Sequence, residues 1–146
     1  VSFDGGAGRY RAELDELLGL CDLSLVARDF AQKCTGRDDP AEAAEALLER
    51  GAQIAGVTDG ARGAWIASRT GERFHQPAYR PPRLVDTTGC GDAYHGAFLF
   101  GLLRGWELRR TAAFASAVAA LNARELGGRK GLPRLEEGER FTADGR

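Results

Sequence analysis

The sequence predicts an α/β fold, a sheet covered by helices, on three observations. Short apolar runs of strand length, at residues 1–4, 23–27, 53–58 and 64–68, alternate with segments whose apolar residues recur at helical spacing. A glycine-interrupted polar turn, residues 86–92, feeds an apolar helical segment, the arrangement by which such folds place ligands at strand ends. The length of 146 residues suits about one domain at ~100–200 residues each, and 43% hydrophobic against 28% charged residues can bury a core, which excludes wholesale disorder.

Taken in order, Val1 to Asp4 reads as a short buried strand with no lead-in, as in a fragment that starts mid-strand, and Gly5-Gly6-Ala7-Gly8 turns the chain. Tyr10 to Leu18 has helical spacing at Tyr10, Leu14, Leu17 and Leu18, and Leu23 to Ala27 resembles a buried parallel strand. Arg28 to Cys34 predicts a short helix. Asp38-Asp39-Pro40 starts another, with an acidic cap, Pro in the first turn and apolar Ala43, Ala46 and Leu47. Gly51 ends it, Gln53 to Thr58 is an apolar strand, and Asp59-Gly60 with Gly63 turns the chain so that Ala64 to Ser68 returns as a hairpin partner. Arg73 to Tyr79 reads as a further strand, stopped by Pro81-Pro82 before Leu84-Val85 leads into Asp86.

Gly89-Cys90-Gly91-Asp92 opens a helix running to about Leu103. With Ala93, Tyr94, Ala97, Phe98, Leu99, Phe100, Leu102 and Leu103 apolar, it is expected to be buried nearly all round. Glu107 to Arg124 predicts the next helix, with Leu108, Ala112, Ala115, Val118 and Leu121 on one side and Gly127-Gly128 as its cap. Beyond the Arg129 to Pro133 loop only a short, charged tail is expected. No internal repeat or low-complexity segment occurs.

Charge and composition exclude several functions. Twenty Lys and Arg against 21 Asp and Glu leave a net charge of -1, and the cations, all Arg except Lys33 and Lys130, form no polybasic block, so a nucleic-acid surface is not expected. The longest apolar stretches, such as Ala112 to Leu121, are about half of the ~20 residues that a spanning helix needs, so no membrane association is expected. Cys21, Cys34 and Cys90 are odd in number and lack metal-ligand spacing, and no export signal is visible. Free thiols in the cytoplasm are the expectation.

The sharpest chemistry lies in Asp86-Thr87-Thr88-Gly89-Cys90-Gly91-Asp92, read as a strand exit feeding a buried helix. Gly89 and Gly91 let the backbone approach a ligand, and the free N–H groups and positive end of the following helix attract an anion. Asp92 in the first turn can take the proton of an alcohol attacking a phosphorus held over those amides, or it can simply stabilise the helix start. His95, three residues on and on the same helical face, can relay to Asp92 or merely pack. His75 has no partner spacing for a metal, and Trp65, Phe74 and Trp106 read as core or edge aromatics. Gly5-Gly6-Ala7-Gly8 lacks the dinucleotide spacing and no Walker motif is present.

The string Asp86 to Asp92 resembles the second signature of the ribokinase-like (PfkB) carbohydrate kinase family, Asp-Thr-x-Gly-Ala-Gly-Asp, and the likeness extends through His95-Gly96-Ala97-Phe98. Val57 to Gly63 is similar to the family's nucleotide-binding strand and turn, and Phe114 to Pro133 to its adenine-side helix and closing loop. The resemblance implies a ribokinase-like sheet covered by helices, present as its C-terminal portion across residues 1–146, and an ATP-dependent sugar kinase that transfers the γ-phosphate to a sugar hydroxyl. It makes Asp92 the catalytic base and Gly89, Cys90 and Gly91 the anion hole. It puts Thr58, Gly60 and Gly63 near the ATP phosphates, and Ser116 and Gly128 on the nucleotide side. Asp86, Thr88, Asn122, Gly127 and Gly131 correspond to a monovalent-cation site, with ATP, Mg²⁺ and K⁺ as the implied cofactors.

Departures from the pattern matter equally. The family's Asn-x-x-Glu motif, which helps organise Mg²⁺, is matched here by Ala27-Arg28-Asp29-Phe30, with Asp29 the nearest substitute. Cys90 replaces the usual Ala, and a thiol at a helix start can have a depressed pKa or be merely a small residue that fits. The first signature, the sugar-contacting residues and the lid belong to an N-terminal half that this chain does not match. A catalytically silent nucleotide-binding module and a nucleoside kinase are therefore the alternatives. An open sheet edge would invite pairing, so a homodimer is one expected assembly.

Overall fold

The computed structural model describes residues 1–144. The chain divides into a sheet-bearing half, Val1–His75, and a helical half, Gln76–Arg146.

The sheet has five strands in the order β1 (Ser2–Gly5), β2 (Leu23–Ala27), β3 (Ile54–Thr58), β4 (Ala64–Ser68) and β5 (Arg73–Gln76). The first three run parallel, and β4 returns antiparallel to β3 as the hairpin expected from Asp59-Gly60 and Gly63. Parallel neighbours need a crossover, which is supplied by α1 (Leu14–Leu18) between β1 and β2, and by α2 (Arg28–Thr35) and α3 (Pro40–Glu49) between β2 and β3. Leu23, Ser24, Leu25 and Val26 are all buried, so β2 is covered on both faces and reads as a near-continuous apolar run.

Phe30 and Leu47 from the helices and Val26, Ala55 and Val57 from the strands form the core of this half, with Phe3 and Tyr10 packed on Phe30. Helix α3 starts as expected: Asp39 accepts from the Ala41 and Glu42 amides at 2.8 and 3.1 Å and Pro40 follows it. Two elements are shorter than expected. The helix foreseen from Tyr10 begins only at Leu14, because Tyr10 sits in a loop with its ring edge-on to Phe30. Strand β5 stops at Gln76, since Pro77 has no N–H to donate.

The helical half holds α4 (Cys90–Leu103), α5 (Leu108–Asn122) and α6 (Leu135–Asp144). Phe98 is fully buried, and Gly101 lets α4 approach Thr111 of α5. Phe100, Trp106 and Phe114 stack edge to face, with the Arg110 guanidinium 4.0 Å above Trp106.

Four expectations are corrected here. Helix α4 is not buried all round: Gly91, Asp92, Gly96 and Leu103, the last 86% exposed, form an open side. The charged tail is helix α6, where Gly138 packs against Phe114 and Arg124–Glu137 and Arg110–Glu139 ion pairs tie it to α5. Gly127-Gly128 does not cap α5, which ends at Ala123 in right-handed conformation. No strand precedes Asp86 within residues 77–89; instead the Val85 and Asp86 amides donate to the Ala123 carbonyl at 2.8 and 3.2 Å, using an acceptor left free at the end of α5.

Candidate functional site

The turn into α4 is built by backbone contacts. Gly89 takes a left-handed φ of 73°, and a Cβ there would fall 2.4 Å from the Gly128 carbonyl oxygen, so both the turn and the close approach of the 127–128 loop require glycine. The Cys90 amide donates to the Thr87 carbonyl at 3.2 Å and Ala93 makes the first helical bond, to Gly89. The Gly91 and Asp92 amides are thereby left without an acceptor inside the helix. Of the expected anion hole, Gly91 is the open member: a Cβ on it would meet nothing within 4 Å. An anion fits that cradle.

Asp92 is exposed on the first turn of α4 and lines a cavity of about 450 Å³ whose wall is mostly apolar, with Gly96, Phe100, Phe114, Val118 and Leu132, and includes one cation, Arg129. His95 is half-buried one turn further on. The Cys90 thiol does not have the depressed pKa that its helix-start position suggested: burial pushes it up, only partly offset by the Asn122 side chain.

The residues expected at a monovalent-cation site lie together. Asp86 accepts from the Thr88 amide at 2.9 Å and the Gly127 amide at 2.8 Å, which hold its carboxyl below the usual carboxylate range. Asn122, fully buried, donates from Nδ2 to the Gly128 carbonyl at 3.1 Å and the Thr88 carbonyl at 3.5 Å, while its Oδ1 has no partner. Gly131 abuts the Asn122 backbone, where a Cβ would fall 2.3 Å from the carbonyl oxygen. The orphaned, buried Asn122 Oδ1 is an oxygen donor of the kind a hard cation takes, beside an Asp86 carboxylate already engaged by two amides. Ser116 is buried in α5, six residues before Asn122 and about 9 Å from it along the helix axis, apart from this group.

Thr58, Gly60 and Gly63 belong to the sheet half. The Thr58 hydroxyl donates to the Val26 carbonyl at 3.4 Å, Gly60 is exposed with φ 53°, and Gly63 closes the turn by donating to the Gly60 carbonyl at 3.0 Å. Sequence reasoning missed what surrounds them: Asp59 binds both Arg62, through two bonds of 2.7 and 2.8 Å, and Arg28, at 3.0 Å. These guanidiniums hold its carboxyl below the usual range.

Asp29, Asp59 and Asp86 are each already engaged and do not fit Mg²⁺ as direct ligands. Asp29 accepts from the Gly8 amide at 2.8 Å and pairs with Lys33, Asp59 is committed to two arginines and Asp86 to two amides. Among the described residues no three His, Cys, Asp or Glu gather as metal ligands. No described helix is long and apolar enough to cross a membrane.

The geometry has counterparts among known proteins. The chain is 34% identical over 137 residues to an uncharacterized sugar kinase of Archaeoglobus fulgidus, spanning 92% of this chain and 54% of that protein. An E. coli protein provisionally named ribokinase II, solved with ATP and Mg²⁺, superposes with a TM-score of 0.81 at 30% identity, covering 90% of this chain and 42% of that one. The aminoimidazole riboside kinase of Salmonella enterica, solved with aminoimidazole riboside and an ATP analog, gives 0.80 at 29% identity, covering 97% and 52%. The chain thus spans about half the length of the relatives it matches, and its sheet and helices are those of the ribokinase-like fold. The family model for pfkB family carbohydrate kinases matches residues 4–135, nearly the whole chain, and the chain belongs to that family.

Proposed function

We propose that this chain is the nucleotide-binding and catalytic part of a sugar kinase that moves the γ-phosphate of ATP to a sugar hydroxyl. The observation that carries this reading is the α4 start: an exposed carboxylate, Asp92, directly follows the open, side-chain-free cradle at Gly91. A phosphoryl group held over the Gly89-Cys90-Gly91 turn would have its growing charge met by the first-turn amides. Asp92 would accept the proton of the hydroxyl as its oxygen attacks phosphorus. In the sheet half, Thr58, Gly60 and Gly63 are the proposed contacts to the nucleotide phosphates. In the helical half, Ser116 and Gly128 are assigned to the nucleotide side. Mg²⁺ would arrive on the nucleotide. K⁺ is proposed at Asp86, Thr88, Asn122, Gly127 and Gly131, supported by the orphaned Asn122 Oδ1. The three unpaired cysteines favour the cytoplasm as its location.

The test is a phosphotransfer assay with ATP, Mg²⁺ and K⁺ over a panel of sugars and nucleosides, run on the protein and on Asp92→Asn. Turnover on a sugar, reduced about 10²–10⁴-fold by the substitution with ATP affinity little changed, is expected. Near-normal turnover in Asp92→Asn removes the base. Turnover confined to nucleosides makes the protein a nucleoside kinase, and saturable ATP binding with no turnover on any acceptor makes it a silent nucleotide-binding module. Replacing K⁺ by Na⁺ is expected to lower turnover.

A further inference from the structure

The Arg28–Asp59–Arg62 cluster of the sheet half occupies a place where α/β sheets take ligands. Ala27 and Thr58 are register partners at the ends of the parallel strands β2 and β3, so residues 28 and 59 leave the sheet side by side at its carboxyl edge. The Asp59 side chain is only 12% exposed, while those of Arg28 and Arg62 are 43% and 66% exposed. The end-on, two-bond grip of Arg62 already compensates the Asp59 charge, and Arg28 is a second cation on the same carboxylate. The cluster therefore carries one surplus positive charge, and both guanidiniums keep N–H donors beyond those it uses. Two acids lie beside the cluster. Asp29 is paired with Lys33; Asp38, whose backbone carbonyl accepts from Arg28 at 3.4 Å, keeps its carboxylate charge on the neutral Gln32 amide and offsets part of the surplus on the Arg28 side, leaving Arg62 the more open cation.

We propose that Arg28 and Arg62, splinted by Asp59, form a clamp for the polyphosphate chain of a nucleotide, supplying part of its countercharge from protein cations. The identity of the anion rests on the nucleotide-binding reading above. Asp59 is a positioning residue in this clamp: it sets the spacing of the two guanidiniums, and each of them meets phosphate oxygens with planar, paired donors.

The probe is inorganic tripolyphosphate, titrated calorimetrically into the protein at low salt without divalent cations, and compared with Arg28→Gln, Arg62→Gln, Arg28→Lys and Arg11→Gln. Arg28→Gln and Arg62→Gln are each expected to weaken binding about tenfold, the scale of one charge-assisted contact. Arg28→Lys is expected to recover part of the loss, and Arg11→Gln, an equal charge change at an exposed residue outside the cluster, to bind as the parent does. Circular dichroism checks folding, and exposed Arg62 carries the test should Arg28→Gln not fold. No binding to the parent protein, or equal affinity in all variants, overturns the clamp. Phosphotransfer is measured separately: turnover with an overturned clamp leaves the kinase reading standing, and a working clamp with no turnover on any acceptor sinks only the kinase reading.

Discussion

The two halves of the molecule satisfy their engaged carboxylates in opposite ways. In the sheet half the partners are side chains: Asp59 is held by two arginines and Asp29 pairs with Lys33. In the helical half they are backbone: Asp86 is held by the Thr88 and Gly127 amides, and Asn122 reaches the Thr88 and Gly128 carbonyls. A group fixed by side chains depends on which residues are present and on ionic screening. One fixed by backbone depends on loop conformation, and so on the glycines that permit it. The sheet half is therefore expected to be sensitive at its charges, and the helical half at its turns.

Gly89→Ala offers the largest effect by which that contrast can be broken. The left-handed conformation costs a non-glycine residue about 1–2 kcal/mol and the forced displacement of the 127–128 loop about 1–3 kcal/mol more, a sum read from the denaturation midpoint of Trp106 fluorescence in the helical half. Gly91→Ala, with open space in front of it and an ordinary backbone, is expected to leave that midpoint in place while abolishing ATP binding. Equal stability losses at both positions would show that the turn, rather than a ligand, requires the second glycine.

Asn122→Ala comes next. It removes a fully buried side chain that bonds the Thr88 and Gly128 carbonyls and is expected to cost about 1–3 kcal/mol in urea unfolding. Arg62→Gln, which removes a largely exposed guanidinium and leaves Arg28 on Asp59, should leave the midpoint little changed from the parent. A larger loss in Arg62→Gln than in Asn122→Ala would reverse the contrast.

The smallest effect concerns acid. The folded-state pKa values of Asp86 and Asp59 are both depressed, so the stability they add is complete above the unfolded value of about 3.9 and is lost as pH falls through the lower folded values. Melting temperatures followed downward from about pH 6 should drop in that acid range, and Asp86→Asn should flatten part of the slope. High salt is expected to shrink the Asp59 share, which rests on ion pairs, and to spare the Asp86 share, which rests on amides.

Much of the sheet half was legible before the structure because its signals are local. Asp39-Pro40 announces the start of α3 within two residues, and Leu23 to Ala27 is an uninterrupted apolar run of strand length. Helix α6 was not legible. Its glutamates and arginines read as a solvated tail, and its anchors are contacts that Gly138, Glu137 and Glu139 make with residues of the preceding helix and its end, Phe114, Arg124 and Arg110. The proposed anion cradle at Gly91 and the base at Asp92 were readable from one continuous string. The guanidinium pair was not, because Arg28 and Asp59 are 31 residues apart and meet only once β2 and β3 are in register.

The amino-acid sequence by itself determined the family and the glycine-punctuated start of α4, since both reside in contiguous residues whose backbone preferences act over one turn. Only the tertiary structure decided that Gly128 backs Gly89, that the Gly127 amide reaches Asp86 across 41 residues, that burial raises the Cys90 pKa, and that Asp59 carries two arginines. Such contacts join residues distant along the chain, and the hydrogen bonds and desolvation they bring leave no local pattern to read.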